Sequence, residues 1–176
     1  MERGTKTRKI VQSAMIAGLY AALTLAIAPI AFSAVQFRVS EALTVLPAFT
    51  ATAIPGLSLG CALANLAGFF LGMNPLGLID AVVGTLATLI ATLLSRQAGK
   101  MKGKWMRRLL VPLPPVLVNA VIVGLELTFV FGPASVPGFA AYAVSVLIGE
   151  AVICYGLGIP LMLILERKDL YQKIFR

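Results

Sequence analysis

The chain alternates between long apolar runs and short polar or basic segments, and the apolar runs predict membrane-spanning helices. The predicted spans cover residues 10–28, 40–53, 56–72, 77–95, 112–131 and 139–165. The second run is short and contains Pro47. The sixth is so long that it must tilt, bend near Pro160 or project beyond the membrane. This pattern predicts an all-α membrane protein, with residues 1–176 forming one integral domain of six transmembrane helices.

The composition supports a membrane protein and argues against a soluble one. Hydrophobic residues make up 59% of the chain, charged residues only 12%, and the mean hydropathy is +0.94. Soluble domains carry roughly 25% charged residues. No A-x-A-like cleavage site follows the first apolar run, so we expect that run to remain as an uncleaved span.

The positive charge is distributed by topology rather than along a nucleic-acid-binding face. The net charge is +8, yet every Lys and Arg except Arg38 lies before the first span, in the 96–108 loop or at the C-terminus. Excess Lys and Arg marks cytoplasmic segments. We therefore expect these three segments, and both termini, to be cytoplasmic. Six spans satisfy that requirement, because four of them lie between the N-terminal basic segment and the 96–108 loop and two between that loop and the C-terminus.

Several kinds of chemistry are excluded by residue type. The chain has no His, and Cys61 and Cys154 both fall in apolar runs, so neither a metal site nor a Ser-His-Asp triad is expected. An aspartyl enzyme is disfavoured because Asp80 lies in a span whereas Asp169 lies in the tail. The phosphate-binding pattern G-x-x-x-x-G-K-[ST] does not occur, so ATP-driven work would need a partner. We expect no cofactor.

Polar residues that interrupt the apolar runs are the candidate binding residues: Arg38, Glu41, Asn65, Asp80, Asn119, Glu126 and Glu150. Ionisable groups at membrane depth indicate a functional site by default. Asn119 and Glu126 are seven apart and share a helix face. We expect an outward-opening pocket with one arginine against four carboxylates. Such a pocket would bind a cation or a heterocycle rich in N–H donors. If the ligand is a heterocycle, Phe37, Tyr142 or Phe131 could stack on the ring of that ligand.

Five of these candidates also have a structural interpretation; such an interpretation is weaker for Glu126 and Glu150, because no basic residue lies near them in sequence. Asn65 and Asn119 could be hydrogen-bonding links between helices. Asp80 could cap the fourth helix near its N-terminus. Arg38 and Glu41 are three apart and could neutralise each other at the outer mouth.

Small residues recur at four-residue spacing in the first span. One series is Ala14, Gly18 and Ala22, and another is Ala17 and Ala21. Such spacing lets a second helix approach closely. That helix could belong to the same bundle or to a partner subunit.

Three stretches resemble a known family: VQFRVSEALTVLP, then AIPGLSLGCALANL, then DAVVGTLATLIATLLS. Their order and spacing resemble the queuosine-precursor transporter (QueT) family, whose members are substrate-binding S components of energy-coupling factor (ECF) transporters. The resemblance implies a six-helix S-component fold in the bacterial cytoplasmic membrane. It also implies a pocket near the outer face, gated by loops that include residues 29–38.

The same resemblance implies partners and a substrate. One transmembrane coupling protein and two cytoplasmic ATPases would drive transport, and an A-x-x-x-A motif at Ala17 and Ala21 would contact the coupling protein. The substrate would be a 7-deazaguanine precursor of queuosine, or the base queuine. Glu126 or Glu150 would then accept its guanidine-like edge, with Asp80 or Glu41 near an aminomethyl group.

Other functions remain open at this stage. One is a stand-alone proton-coupled permease that uses the buried carboxylates as a relay. A second is an S component for another vitamin. A third is an assembly factor that binds no small molecule.

Overall fold

The computed structural model describes residues 2–33, 36–132, 134–167 and 170–175. Lys168 and Arg176 of the basic segments, and positions 34 and 35 of the predicted gating loop, lie outside these ranges. Within the described ranges the structure is helical and contains no β-strand. Its helices are α1 (Glu2–Ala26), α2 (Ala28–Ala31), a 3-10 helix (Val39–Ala48), α3 (Ala53–Phe70), α4 (Leu78–Ala98), α5 (Lys104–Leu110), α6 (Leu113–Phe131), α7 (Val136–Gly156), α8 (Gly158–Glu166) and α9 (Leu170–Phe175).

The expected count of six transmembrane helices is not confirmed. Across the described residues, five helical segments are long and apolar enough to cross a membrane: Lys6–Ala26, Ala53–Phe70, Leu78–Ala98, Lys104–Phe131 and Val136–Glu166. The predicted second span is instead the ten-residue 3-10 helix. At about 2 Å per residue it is roughly 20 Å long, which is shorter than a hydrocarbon core of about 30 Å.

The 3-10 helix occupies the centre of the bundle. Its residues from Ser40 to Pro47 are buried, and it packs against α1, α3, α4, α7 and α8. The backbone carbonyl of Pro47 accepts a hydrogen bond from Arg96 Nη1 at 2.8 Å. Irregular backbone at membrane depth is tolerated only where protein covers its polar groups. The surrounding helices supply that cover.

The helices α1 and α3 run parallel, so the chain must return between them. Ser13 Oγ in the middle of α1 donates to the carbonyl of Thr52, just before α3, at 2.9 Å. Further along both helices, Tyr20 packs against Gly60, where an added Cβ would lie 2.7 Å from Tyr20 Cβ. The 3-10 helix is the segment that carries the chain back to the start of α3.

The sixth apolar run is not one continuous helix. The helix is interrupted at Leu157, between α7 and α8. Pro160 has no N–H to donate to the carbonyl of Gly156, which accounts for a break three residues before the proline. The turn between α3 and α4 needs two glycines in the left-handed region, Gly72 at φ 70° and Gly77 at φ 66°.

The basic segments meet at one end of the bundle, called the basic end below. Arg8 and Lys9 line a cavity together with Phe175. Lys104 and Arg107 line another with Tyr171. Large apolar side chains cover the outside of the helices, which indicates surfaces that face lipid: Met15, Leu59, Phe70, Leu86, Val121 and Ile148 are all exposed.

A buried polar cluster as the candidate binding site

Among the described residues, ten buried residues with charged, amide or phenol side chains lie in the half of the bundle away from the basic end or near its centre. They are Tyr20, Gln36, Arg38, Glu41, Asn65, Asn74, Asp80, Asn119, Glu126 and Glu150, and none is more than 5% exposed. We call them the polar cluster. It brings together the seven interrupting residues that the sequence singled out, from helices far apart in the chain.

Arg38 and Asp80 form an ion pair at one side of the polar cluster. Arg38 Nη2 lies 3.4 Å from Asp80 Oδ2, and the same oxygen accepts a hydrogen bond from Asn74 Nδ2 at 2.8 Å. Asn65 Nδ2 donates to the backbone carbonyl of Asp80, also at 2.8 Å. The first turn of α4 is thereby fixed against α3 and against the segment that enters the 3-10 helix.

Arg38 and Glu41 interact electrostatically, but they do not form the direct ion pair that their spacing suggested; Arg38 pairs with Asp80 instead. Arg38 is the N-cap residue of the 3-10 helix and has an extended backbone, with φ −91° and ψ 90°. Its side chain leaves toward α3 and α4, where it contacts Asp80 and Cys61. Glu41 lies inside the helix and accepts a hydrogen bond from the hydroxyl of Tyr20 on α1. A spacing of three residues brings two side chains to one face only when both residues are helical. Here Arg38 has an extended backbone and Glu41 a helical one.

A glycine makes room for this arrangement. Gly84 lies one turn after Asp80 on α4. A Cβ added there would be 2.9 Å from Asn65 Nδ2 and would overlap Asp80 Oδ1. The bare backbone at Gly84 therefore allows α3 and α4 to bring these two side chains together.

The other side of the polar cluster links α6, α7 and the 3-10 helix. Asn119 Nδ2 donates to Glu150 Oε1 at 2.9 Å. Cys154 Sγ lies 3.5 Å from Glu150 Oε2 and 3.7 Å from the Glu41 carbonyl. Thr44 Oγ1 donates to the same carbonyl. Asn119 thus does join two helices, as its structural interpretation expected, and it does so within the polar cluster.

Several buried atoms of the polar cluster have no hydrogen-bond partner among the described residues. The acceptors are both carboxylate oxygens of Glu126, Glu41 Oε2, Asn65 Oδ1 and Asp80 Oδ1, and the donors are Gln36 Nε2 and Arg38 Nε. A buried polar group without a partner is destabilising by about 1–3 kcal/mol. Native proteins keep such groups where a ligand, ion or water completes them. These atoms make the polar cluster the candidate binding site.

Glu126 is the most conspicuous of these residues. It lies on α6, it is 5% exposed, and neither of its oxygens has a partner among the described residues. Its carboxylate interacts electrostatically with Asp80 and Arg38. This carboxylate therefore has its full accepting capacity available for a ligand.

The aromatic residues are placed differently from the sequence-based expectation. Phe32, which the sequence interpretation did not include, is buried, with its ring centroid 5.4 Å from the Arg38 guanidinium carbon. Phe37 and Tyr142 are half-buried, and Tyr142 packs against an apolar group that includes Val146. Phe131 is 51% exposed.

Sequence reasoning also missed Tyr20, Gln36 and Asn74. Asn74 lies in the turn between α3 and α4, and Tyr20 lies in an apolar run. Gln36 has φ 49°, an unusual value for a residue other than glycine, in the segment just before Arg38. A polar residue so close to an intramembrane arginine was the available signal for Gln36.

The small residues of α1 face two directions. Ala17 is 4% exposed and packs against Gly60 of α3. Ala21 is half-buried. Ala14 and Gly18 are exposed, and a Cβ added at Gly18 would meet nothing within 4 Å.

In the part of the chain that the structure describes, no group of three or more Cys, Asp or Glu residues is arranged to hold a metal ion. The cluster atoms that lack a partner among the described residues include both acceptors and donors, which fits an organic molecule with both kinds of group.

Comparison with known proteins gives a family. A curated relative, the queuosine precursor transporter QueT of Lactococcus lactis subsp. cremoris, is 34% identical over 88 residues. That match covers 49% of this chain and 48% of the relative, so it spans about half the length of each protein. No solved structure matches. The family model described as QueT transporter matches residues 10–167, so this multi-pass membrane protein belongs to the QueT transporter family.

Proposed function

We propose that this protein is the substrate-binding membrane subunit, or S component, of an ATP-driven ECF uptake transporter. Its substrate is a queuosine precursor of the 7-deazaguanine type, held in the polar cluster. The observation that carries the proposal is the buried carboxylate of Glu126, whose two oxygens have no hydrogen-bond partner among the described residues. The name of the Lactococcus lactis relative supports the choice of substrate.

The chemistry of the base matches the atoms without partners. A 7-deazaguanine has a guanidine-like edge with neighbouring N–H donors and a carbonyl acceptor beside it. A carboxylate accepts two parallel N–H bonds from such an edge. Glu126 offers both oxygens, whereas Glu150 already accepts from Asn119 and Cys154. We therefore assign the guanidine-like edge to Glu126, and the carbonyl of the base to a donor such as Arg38 Nε.

The charge balance favours a cationic precursor. The polar cluster contains one arginine and four acids, Glu41, Asp80, Glu126 and Glu150. Burying unpaired charge is costly. An aminomethyl group on the deazaguanine would bring a compensating cation, and we place it near Asp80 Oδ1 or Glu41 Oε2, both of which lack partners among the described residues.

Orientation and energy supply follow from the charge pattern. Since Lys and Arg accumulate on the cytoplasmic side, the basic end and both termini are proposed to be cytoplasmic, with the polar cluster toward the outside. We further propose that the 3-10 helix, second in chain order, is a short membrane crossing that completes the six of an S-component fold. ATP hydrolysis would be supplied by two cytoplasmic ATPases through a transmembrane coupling protein, so the chain itself is not an enzyme.

The 29–38 segment is proposed as a gate over the site. Arg38 and Gln36 belong to this segment and also contribute partnerless donors to the cluster. Movement of the segment would therefore change the contacts of a bound base. If Arg38→Ala changed neither the affinity nor the dissociation rate of the substrate, this role would be wrong.

Isothermal titration calorimetry of the detergent-purified protein with 7-aminomethyl-7-deazaguanine tests the proposal. We expect binding by the wild type, and Glu126→Gln should weaken it by about 10- to 100-fold, because a charged acceptor is lost. Glu166→Gln is the control, since that carboxylate pairs with Arg107 and Arg108 at the basic end. Equal affinity in wild type and Glu126→Gln would remove the assignment.

A further inference from the structure

A cavity of about 440 Å³ lies at the basic end, separate from the polar cluster. Its lining contains four cations and one carboxylate: Lys104, Arg107, Arg108, Arg167 and Glu166. Apolar walls are formed by Ala48, Phe49, Leu163 and Tyr171. The transport site described above uses none of these residues.

The cationic side of this cavity is held in place by its own contacts. Glu166 accepts hydrogen bonds from both Arg107 and Arg108. The Arg107 guanidinium carbon lies 5.9 Å from the ring centroid of Phe49, which in turn packs on Tyr171 at 5.4 Å. These contacts fix the two guanidinium groups without using all of their donors.

The cations exceed what Glu166 can neutralise. Arg107 Nε is buried and has no hydrogen-bond partner among the described residues. Lys104 and Arg167 are exposed and make no ion pair within the described ranges. The site therefore fits a compact anion with several acceptor oxygens, and a phosphate group is the common biological example.

The backbone around the cavity is tied to the bundle. Tyr155 Oη on α7 donates to the Leu109 carbonyl of α5 at 2.9 Å. Ser95 Oγ on α4 donates to the Val111 carbonyl at 2.8 Å. The short helix α5 is thus held between two long helices, which keeps its basic residues at the cavity.

Exposed apolar side chains on α5 indicate that the phosphate group bound in the cavity belongs to a lipid. Trp105, Met106 and Leu109 are 76%, 51% and 48% exposed. A tryptophan exposed beside basic residues at the end of a membrane bundle is typical of the headgroup level. The Arg108 guanidinium carbon lies 5.8 Å from the Trp105 ring centroid, so the cavity and the membrane-facing ring adjoin.

A second cavity, partly lined by apolar residues, adjoins the first at Arg167. Arg167 lines this second cavity, of about 450 Å³, together with Ile164, Leu170 and Lys173. Ile164 is 50% exposed on the outer surface of α8. A molecule bound by phosphate at Arg167 would place an attached chain against this apolar surface. A free phosphate would leave it uncovered.

We propose that the 440 Å³ cavity binds the headgroup of an anionic phospholipid, with Lys104 and Arg167 contacting its phosphate beside Arg107 and Arg108. Basic pockets at the ends of transmembrane helices bind anionic headgroups in this way. A lipid held there would join α5, α8 and the membrane surface on the basic end.

Native mass spectrometry of the full-length protein in detergent, with added phosphatidylglycerol or phosphatidylcholine, tests this site. We expect wild type to retain phosphatidylglycerol and not phosphatidylcholine. In the double variant Lys104→Gln/Arg167→Gln, retention should fall on the order of tenfold, since each cation near the headgroup contributes to binding. The matched control is Lys100→Gln/Lys102→Gln, which removes two charges from the same loop outside the cavity lining.

Three results would overturn the proposal. Equal retention of the two lipids would show that the headgroup charge does not matter. An equal loss of phosphatidylglycerol retention in both double variants would show that only the net charge of the protein matters. Displacement of phosphatidylglycerol by an equal concentration of inorganic phosphate would identify a site for free phosphate. Should the double variant prove too unstable to purify, Arg167→Gln alone should still lower retention by about threefold.

Discussion

The buried guanidinium of Arg38 lies 3.4 Å from the carboxylate of Asp80, 42 positions further along the chain. The pair joins the residue that caps the 3-10 helix to the first turn of α4. Arg38 is 4% exposed and Asp80 is fully buried. In such a place each charge compensates the other, and the loss of one leaves the other without compensation.

Removal of one partner of this pair should destabilise the protein strongly. We expect Arg38→Gln or Asp80→Asn to lower the free energy of unfolding by about 3–5 kcal/mol, because each leaves one buried charge. The double variant Arg38→Gln/Asp80→Asn should recover part of the loss. Thermal or denaturant unfolding of the detergent-purified proteins measures this as a double-mutant cycle. Strictly additive effects of the two substitutions would mean that the pair is not coupled.

Gly84→Ala tests how closely α3 and α4 must approach at the polar cluster. A Cβ at this position would overlap Asp80 Oδ1 and lie 2.9 Å from Asn65 Nδ2. We expect the affinity for 7-aminomethyl-7-deazaguanine to fall by about tenfold or more, in line with the loss of a hydrogen bond between buried groups.

Gly18→Ala is the matched control, since a Cβ there would meet nothing within 4 Å. In the isolated subunit it should leave substrate affinity unchanged and slightly stabilise α1, as alanine does in place of an unconstrained helical glycine. Equal effects of the two substitutions on affinity would contradict the role given to Gly84.

The two faces of α1 give a third prediction. Ala17 packs on Gly60 of α3, so Ala17→Trp should disrupt the bundle and lose both substrate binding and co-purification with the coupling protein. Ala14 is exposed, so Ala14→Trp should lose co-purification alone if this face meets the partner helix. Size-exclusion chromatography of the co-expressed complex, with calorimetry on each isolated subunit, separates the two outcomes. Intact co-purification of Ala14→Trp would place the partner surface elsewhere.

Most of the fold could be predicted from the hydrophobic pattern. Long apolar runs between basic loops predicted α3, α4, α6 and the broken α7–α8 segment to within a few residues, because composition alone dictates where a helix can face lipid. The 3-10 helix could not be predicted as such. Its run is as apolar as a transmembrane helix, and only its burial by neighbouring helices decides that it stays short and tightly wound.

The members of the candidate site could be predicted from residue type, but the contacts between them could not. Charged and amide side chains in apolar runs identified seven members of the polar cluster, because such groups are too costly at membrane depth to be incidental. Which of them contact one another depends on helix packing. The sequence spacing suggested that Arg38 pairs with Glu41. In the packed bundle Glu41 instead accepts a hydrogen bond from Tyr20 on α1, and Arg38 forms an ion pair with Asp80 on α4.

The central claim is that the polar cluster captures a 7-deazaguanine base through Glu126. Native mass spectrometry of the protein purified from cells, followed by identification of any small molecule it retains, tests this most directly. The account predicts one 7-deazaguanine-type base per wild-type chain, and its loss from Glu126→Gln while Glu166→Gln keeps it. Retention of a different vitamin such as riboflavin or thiamine, or equal retention of the base by Glu126→Gln, would contradict it.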